Sequence, residues 1–543
     1  MKILYFITLL CFTGFDSFAQ RDTTKKQSID ITSSYKPVLR NAVKINFSAA
    51  QLNPDSSKTL SPYTIPQQNL FYTYQPVSLK PLALQQDSVL DLGYRNYIKG
   101  GIGNYSTPYV AAGFSFGDGK KELLNVYGDY ISSKGDIKNQ DYSDFKVKAA
   151  GSYFNGKNEF YGSASVRQQD YSLYGYDHLA HQYTKDDVLQ RFQTVRLAAG
   201  LRNKEETGSG INYDPNIEIN LFNIQNKVQE SSLALTAPIS KTFAEKFTVK
   251  VTAKADLTSY KTKDLDPNVK FSNNLVYIAP ELIYDAPEYA FNIHAGVTPV
   301  WDKSKLNVLP NIYGEYQLAG KIFLLQAGWV GRMIKNNFQN LTAINPYLQS
   351  DTIQRNTKEV ELYGGVKATV GDHFNFNAKA SYLSYTNLPL FINNSEDGKS
   401  FLVSNESTIQ NFRVHGDLSY VSQDKFTATA GITLNGYTGL DDNDRAWGTV
   451  PVEINASLRW WAFKQLLLKG DYMAFTGGPV LLSNNTSKTL TGANDLSAGI
   501  ELMINKQFSA WLDVNNIFNN KYQRWLNYPV YGLNVLGGVT FKF

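Results

Sequence analysis

Residues able to do chemistry are sparse in this chain and do not converge. Five histidines occur in 543 residues. His178 and His181 stand three apart with Asp177 beside them, a spacing that could bring two imidazoles to one divalent cation. No third ligand is near in sequence, so the ordinary reading is a solvated loop. His294, His373 and His415 are scattered. Asp441-Asp442-Asn443-Asp444 offers oxygen ligands to calcium but lacks the glycine and closing glutamate of a known loop, so it reads as a solvated acidic turn. No Gly-x-Ser-x-Gly elbow, paired-cysteine motif or phosphate-cradling loop is present. Gly100, Gly101 and Gly103 sit in an extended segment without the helix a nucleotide fingerprint needs, and suit strand curvature or close approach. We therefore expect no enzyme, and no catalytic, cofactor or metal site.

What the chain does contain is a sustained period of two. From Phe247 to Leu257 every odd residue is apolar, and every even one is polar or charged. Phe145 to Tyr153 and Val452 to Trp460 alternate in the same way, for longer than a half-buried soluble strand usually runs and about as long as an oblique bilayer crossing requires. Counting such segments gives roughly twenty-two strands. Tight polar turns, such as Gly117 to Lys120, Asn155 to Asn158 and Ile504 to Gln507, alternate with longer loops at 169–188, 337–357, 387–406 and 476–489. Outer-membrane barrels keep that parity, with short periplasmic turns and longer extracellular loops. Hydrocarbon offers no partner to an unpaired backbone amide, so such a sheet must close. The fold class expected is all-β, a transmembrane antiparallel β-barrel of about 22 strands.

Bulk composition agrees. A mean hydropathy of -0.31 suits a wall that is half lumen-facing, and 35 Tyr with 31 Phe suit interface girdles. Tyr153 with Phe154, Trp460 with Trp461 and Phe463, and Tyr382 with Tyr385 stand near expected strand ends. A net charge of +5 over this length implies no nucleic-acid surface. Residues 1–19 read as a secretory signal peptide: Lys2, an apolar run to Phe15, then Ser17-Phe18-Ala19. The only cysteine, Cys11, lies within it, so the mature chain has no disulfide. Residues 20–90 carry six prolines and little alternation, and read as an extended periplasmic or lumenal segment ahead of the barrel at 91–543.

The last strand, read as Leu533 to Phe543, places Val539, Phe541 and Phe543 on one face and stops on an aromatic carboxy-terminus. That ending resembles the signal recognised by the outer-membrane barrel assembly machinery. The stretch Asp513-Val514-Asn515-Asn516-Ile517-Phe518-Asn519-Asn520-Lys521-Tyr522, then Tyr528-Pro529-Val530-Tyr531-Gly532, then the closing strand, resembles the end of TonB-dependent receptors. The family's barrels have twenty-two strands, in keeping with the count made above. Two departures stand out. Leu533 replaces the Arg that usually follows the matched glycine, and residues 20–90 do not read as the family's folded plug. Ser28-Ile29-Asp30-Ile31-Thr32 has a faint likeness to the segment offered to the energising protein. The resemblance is thus to a plugless relative, of the type found in Bacteroidota.

Alternation nominates Lys146, Lys148, Lys250, Lys254, Asp256, Glu361, Lys367, Lys379, Glu453 and Arg459 as lumen-facing, with lysine in excess and a wet interior mildly favourable to anions. The expected role is transport of solutes across the Gram-negative outer membrane. An empty ring of this size would be a hazard to the cell, so residues 20–90, inward-folded loops or another protein should block it. Outer-membrane lipids are implied as partners, and a separate plug, a surface lipoprotein or a periplasmic energising protein are candidates. The alternative is a non-conducting barrel subunit or scaffold of a secretion or lipoprotein-assembly complex.

Overall fold

A computed structural model describes residues 96–224, 227–262, 270–286, 290–318, 322–350, 355–371, 373–422 and 425–543. The expected signal peptide at 1–19 and the segment at 20–90 lie outside the described residues. One antiparallel sheet holds all the long strands, each paired with its neighbour in sequence. Of its 23 segments, Ile211–Tyr213 and Asn216–Ile224 both pair with Val228–Phe243 and form one strand interrupted at Asp214-Pro215. The wall therefore has 22 strands, from Tyr97–Gly103 to Asn534–Lys542, and these two pair with each other to close the ring. Asn96 and Phe543 exchange two backbone hydrogen bonds of 3.1 and 3.0 Å, so the described chain starts and ends at the same rim.

Period two produces two unlike faces. Along Phe247–Thr262 the odd residues from Phe247 to Ala253 are exposed and the even ones between them half-buried, as the sequence pattern dictates. Exposed large apolar side chains recur on the same face around the ring, among them Phe116, Val166, Ile239, Val308, Leu362 and Val539. Tyr153, Trp460, Phe463 and Tyr382 belong to that face. Tyr385 does not: three residues beyond Tyr382 on an extended strand, it points the other way, is 3% exposed, and accepts a hydrogen bond from Arg413 Nη2.

The rim holding Asn96 and Phe543 carries the tight connections. In the first of them Asp118 Oδ1 accepts from the backbone N–H groups of Lys121, Lys120 and Glu122 at 2.7, 2.8 and 3.2 Å, which pulls its carboxyl down to about 2. The opposite rim carries the long loops, with three tight exceptions at 104–106, 225–227 and 303–304. One expected loop is mostly ladder: the strands Phe374–Asn393 and Phe401–Ser422 stay paired past residue 387 as far as Asn393 with Phe401, leaving only 394–400 as a turn. Leu388, Leu390 and Phe391 are all buried, so apolar residues fall on both faces there and the alternation that marks a strand is erased.

A charge on the exposed apolar face should be costly and one on the other face should not. In lipid vesicles Val251→Lys is expected to destabilise the barrel by about 2–4 kcal/mol and Thr252→Lys by less than about 1 kcal/mol, read from denaturant midpoints. Equal costs would contradict the assignment of faces.

Candidate functional site: a mouth closed by loops

The long loops do not stand clear of the barrel. Three of them leave the ring at distant points: 173–188 between its fifth and sixth strands, 335–356 between its thirteenth and fourteenth, and 516–533 between its last two. In a ring of 22 these departures are eight, eight and six strands apart. Yet Tyr174, Tyr347 and Tyr528, one from each loop, meet. Tyr347 stacks on Tyr528 with ring centroids 3.6 Å apart, and Tyr174 meets Tyr528 edge-on at 4.9 Å and Tyr347 at 6.3 Å. Such a ring is roughly 40 Å across from strand spacing and tilt, so loops rooted at these points can meet only above the lumen.

Each loop reaches the knot by legible local chemistry. In 516–533 the asparagines fold the chain back: Asn516 and Asn519 take positive φ, Asn516 Nδ2 donates to Tyr531 O at 2.9 Å, and Asn519 Oδ1 accepts from Leu533 N at 2.9 Å. Gly532 is required there because a Cβ would lie 2.3 Å from Asn519 Oδ1. In 335–356 the short helix Phe338–Ile344 is held by the buried carboxylate of Glu230, which accepts from Phe338 N at 2.7 Å and Asn337 Nδ2 at 2.8 Å. In 173–188 Gly175 admits the Tyr528 ring, since its Cβ would come within 2.3 Å of it.

Around the three rings one apolar cluster gathers Leu173, Phe338, Leu341, Phe391, Phe401 and Trp525, with Phe192, Phe222 and Tyr260 from the wall. Hydrogen bonds tie the loops together. Tyr174 Oη and Gln140 Nε2 both donate to Pro529 O, at 2.8 and 2.9 Å, Tyr531 Oη donates to Gln140 O at 2.6 Å, and Tyr528 Oη donates to Lys399 O. Burial pushes the Tyr528 and Tyr531 phenols well up, so both remain protonated donors at any physiological pH.

The acidic run at 441–444 has a different use from cation binding. Its backbone N–H groups wrap a carboxylate: Asp441 N and Asp442 N donate to Glu406 Oε1 at 2.6 and 2.8 Å, and Asn443 N to Oε2 at 2.9 Å. Glu406 is wholly buried and pins the loop 439–451 to the strand Phe401–Ser422. Ser407, through its hydroxyl and its backbone N–H, holds the Asp442 carboxyl below the usual range. His178 Nε2 lies 3.1 Å from Tyr174 O, and His181 stacks on Tyr183. Backbone N–H groups of Leu179 and Ala180 hold the Asp177 carboxyl low. Among the described residues no three His, Cys, Asp or Glu side chains gather around a point that could hold a metal.

On the half-buried face below, the nominated charges are largely paired. Lys146 meets Asp129 at 2.9 Å, Lys250 meets Glu281 at 3.5 Å, Lys367 meets Glu315 at 2.6 Å, and Lys379 meets Glu361 at 2.7 Å. Arg459 meets Asp471 at 3.1 Å and Asp256 meets Lys335 at 2.9 Å. Lys254 lies over the Tyr277 ring, Lys148 lines a polar recess with Glu159 and Arg202, and Glu453 pairs in register with Thr433. The lysine excess read from the sequence is thus offset by Asp129, Glu281 and Glu315 on neighbouring strands. Alternation alone could have added these acids, because they fall on the same face.

The loop anchor is open to test. Glu406→Ala orphans three backbone donors and should loosen 439–451 by about 2–3 kcal/mol, accelerating tryptic cleavage after exposed Arg445 more than tenfold while the barrel stays intact. Unchanged cleavage would show that the loop is held otherwise.

No family model matches this sequence, and no curated protein does. Solved structures match it in fold. The FrpB iron transporter from Neisseria meningitidis superposes with a TM-score of 0.64 at 11% identity, over 84% of this chain and 82% of that one. The siderophore receptor PirA from Acinetobacter baumannii gives 0.63 at 9%, over 82% and 80%. The copper transporter OprC gives 0.61 at 14%, over 83% and 80%. This chain has the barrel fold of these outer-membrane receptors and transporters, as the motif in its last two strands implied.

Proposed function

We propose that this chain is an integral outer-membrane β-barrel that takes part in moving a solute across that membrane, with its mouth held shut by its own loops. The knot of Tyr174, Tyr347 and Tyr528 carries this reading, because it lies over the lumen of a closed ring and joins three loops rooted at distant points of the wall. A closure made of side-chain contacts between separate loops can part without breaking the wall. Each aromatic pair contributes about 0.5–1.5 kcal/mol beyond area burial, so a ligand or partner binding one loop tightly could open it.

In this reading the loop rim is extracellular and the rim with Asn96 and Phe543 periplasmic. Lys146, Lys148, Lys250, Lys254, Asp256, Glu361, Lys367, Lys379, Glu453 and Arg459 line the lumen. Their pairing makes the interior polar but locally neutral, which does not favour capture of an anion. The leader directs export, and Val539, Phe541 and Phe543 present the terminal strand to the barrel assembly machinery. Residues 20–90 supply a second obstruction or the contact for a periplasmic energising partner. The neighbours in fold are named for iron, siderophore and copper traffic, which supports solute uptake as the class of activity and leaves the cargo of this chain open.

Planar-bilayer recording separates this from a scaffold. The mature wild-type chain should be nearly silent, and Tyr347→Ala/Tyr528→Ala, made together with deletion of residues 21–89, should raise the open fraction at least tenfold. Silence in that variant, together with stoichiometric co-purification of another outer-membrane protein, would overturn the transport reading in favour of a scaffold.

A further inference from the structure

We propose that the seam between the first and last strands is a lateral portal, through which an amphiphile with an acyl chain passes between the lumen and the bilayer. The inference deepens the transport reading by naming a cargo class, and rests on the chain being a membrane barrel.

The wall is thin along this arc. Across four successive interfaces, from Ala493–Met503 round to Thr107–Gly117, the ladders hold six, eight, seven and seven paired residues. The strands Phe374–Asn393 and Phe401–Ser422 share nineteen. Seven residues rising about 3.3 Å each at a tilt of about 40° reach about 18 Å, short of an apolar band of about 25 Å. The bonds of Asn96 to Phe543 and of Asn104 to Val535 add one residue at each end and bring the span to about 23 Å, still a little short. Glycine occupies five positions of the seam: Gly100, Gly101 and Gly103 on one strand, Gly537 and Gly538 on the other. Glycine packs nothing across a ladder and leaves its strand pliable.

A second observation points to a ligand. Trp511, on the strand beside the seam, is 4% exposed, and its indole ring lies against Gly101, where a Cβ would be 2.6 Å from it. Among the described residues its Nε1–H has no hydrogen-bond acceptor. Asp513 Oδ1 and Asn515 Oδ1, two and four residues along the same face and as deeply buried, have no donor among the described residues. Buried polar atoms are seldom left unmet. The shut seam therefore withholds a donor and two acceptors from a polar head group that could satisfy them.

On the outer side the ends of the seam are greasy. Ile102 is 78% exposed, and Phe518, Ile517 and Leu533 are exposed just above it on the loop 516–533. Acyl chains can rest there while a head group reaches inward. The capped mouth blocks the axial route, and the pliable arc offers a sideways one.

The test uses vesicles of phosphatidylethanolamine with a diazirine on the head group, which reads the inward residues, and separate vesicles with a diazirine at the acyl terminus, which read the outward ones. On irradiation, adducts should form on inward-facing Lys99, Gly101 and Thr540 at least tenfold above those on inward-facing Lys254 and Lys379, far from the seam. Ile98 and Phe541 face each other across the seam. Oxidation of the variant Ile98→Cys/Phe541→Cys should remove the inward adducts at least tenfold, reduction should restore them, and labelling of outward Ile102 and Val539 should persist throughout. Should that pair fail to assemble, Gly100→Cys/Val539→Cys locks the next rung. Inward adducts at background, or unaffected by the lock, would overturn the portal. Failure of the conductance experiment would leave this result standing, so the two readings fall separately.

Discussion

Backbone amides that find no partner in hydrocarbon govern this structure. Everything from Tyr97 to Lys542 follows from the need to pair each of them with a neighbouring strand, because an open edge in lipid leaves a row of unmet donors and acceptors. The chain meets this need by returning its last strand to its first, and Gly101 opposite Gly538 lets those strands come together where Trp511 must also fit. Closure in turn fixes parity. Once the ring is sealed, each strand can carry apolar residues outward and polar ones inward without regard to the helical or layered cores of soluble folds.

Size is the second consequence. A ring of 22 strands encloses a space far wider than side chains can fill from the wall, so whatever fills it must come from outside the strands. Here the loops supply it at one end. The price is long-range order: the contacts of Tyr528 with Tyr174 and Tyr347 bridge positions 354 and 181 residues apart in sequence. The cap is therefore a tertiary feature laid over a secondary-structure frame, and it can change state while the frame stays whole.

That hierarchy explains what could be read from the sequence. Phe247 to Leu257 announces a strand because one face meets lipid and the other water, and local pattern suffices. Residues 388–393 conceal one because both faces are packed. The Asn-rich stretch before Tyr528 was legible as a motif, but its role was not, since asparagines at positive φ turn the chain inward only when a mouth exists to receive it. The acidic run at 441–444 read as a solvated turn because side-chain type was the visible signal, whereas the working groups are its backbone N–H donors around Glu406. Lys146 was visible, and Asp129 became its partner only when register placed their strands side by side.

The wall is also uneven, and the unevenness couples cap to seam. The strands of 20 and 22 residues at 374–393 and 401–422 rise well above the ring and contribute Phe391 and Phe401 to the cap. The loop 516–533 springs from the low side, next to the seven-residue first strand, and spans the lumen so that Tyr528 can donate to Lys399 O on the high side. Leaning inward, it exposes Ile517 and Phe518 at its root instead of shielding the rim below. Movement of this one loop would disturb the tyrosine knot through Tyr528 and the seam through Leu533, whose carbonyl accepts from Asn104 Nδ2 at 2.8 Å. Mouth and seam therefore share one loop, which holds Tyr528 at the mouth and Leu533 at the seam.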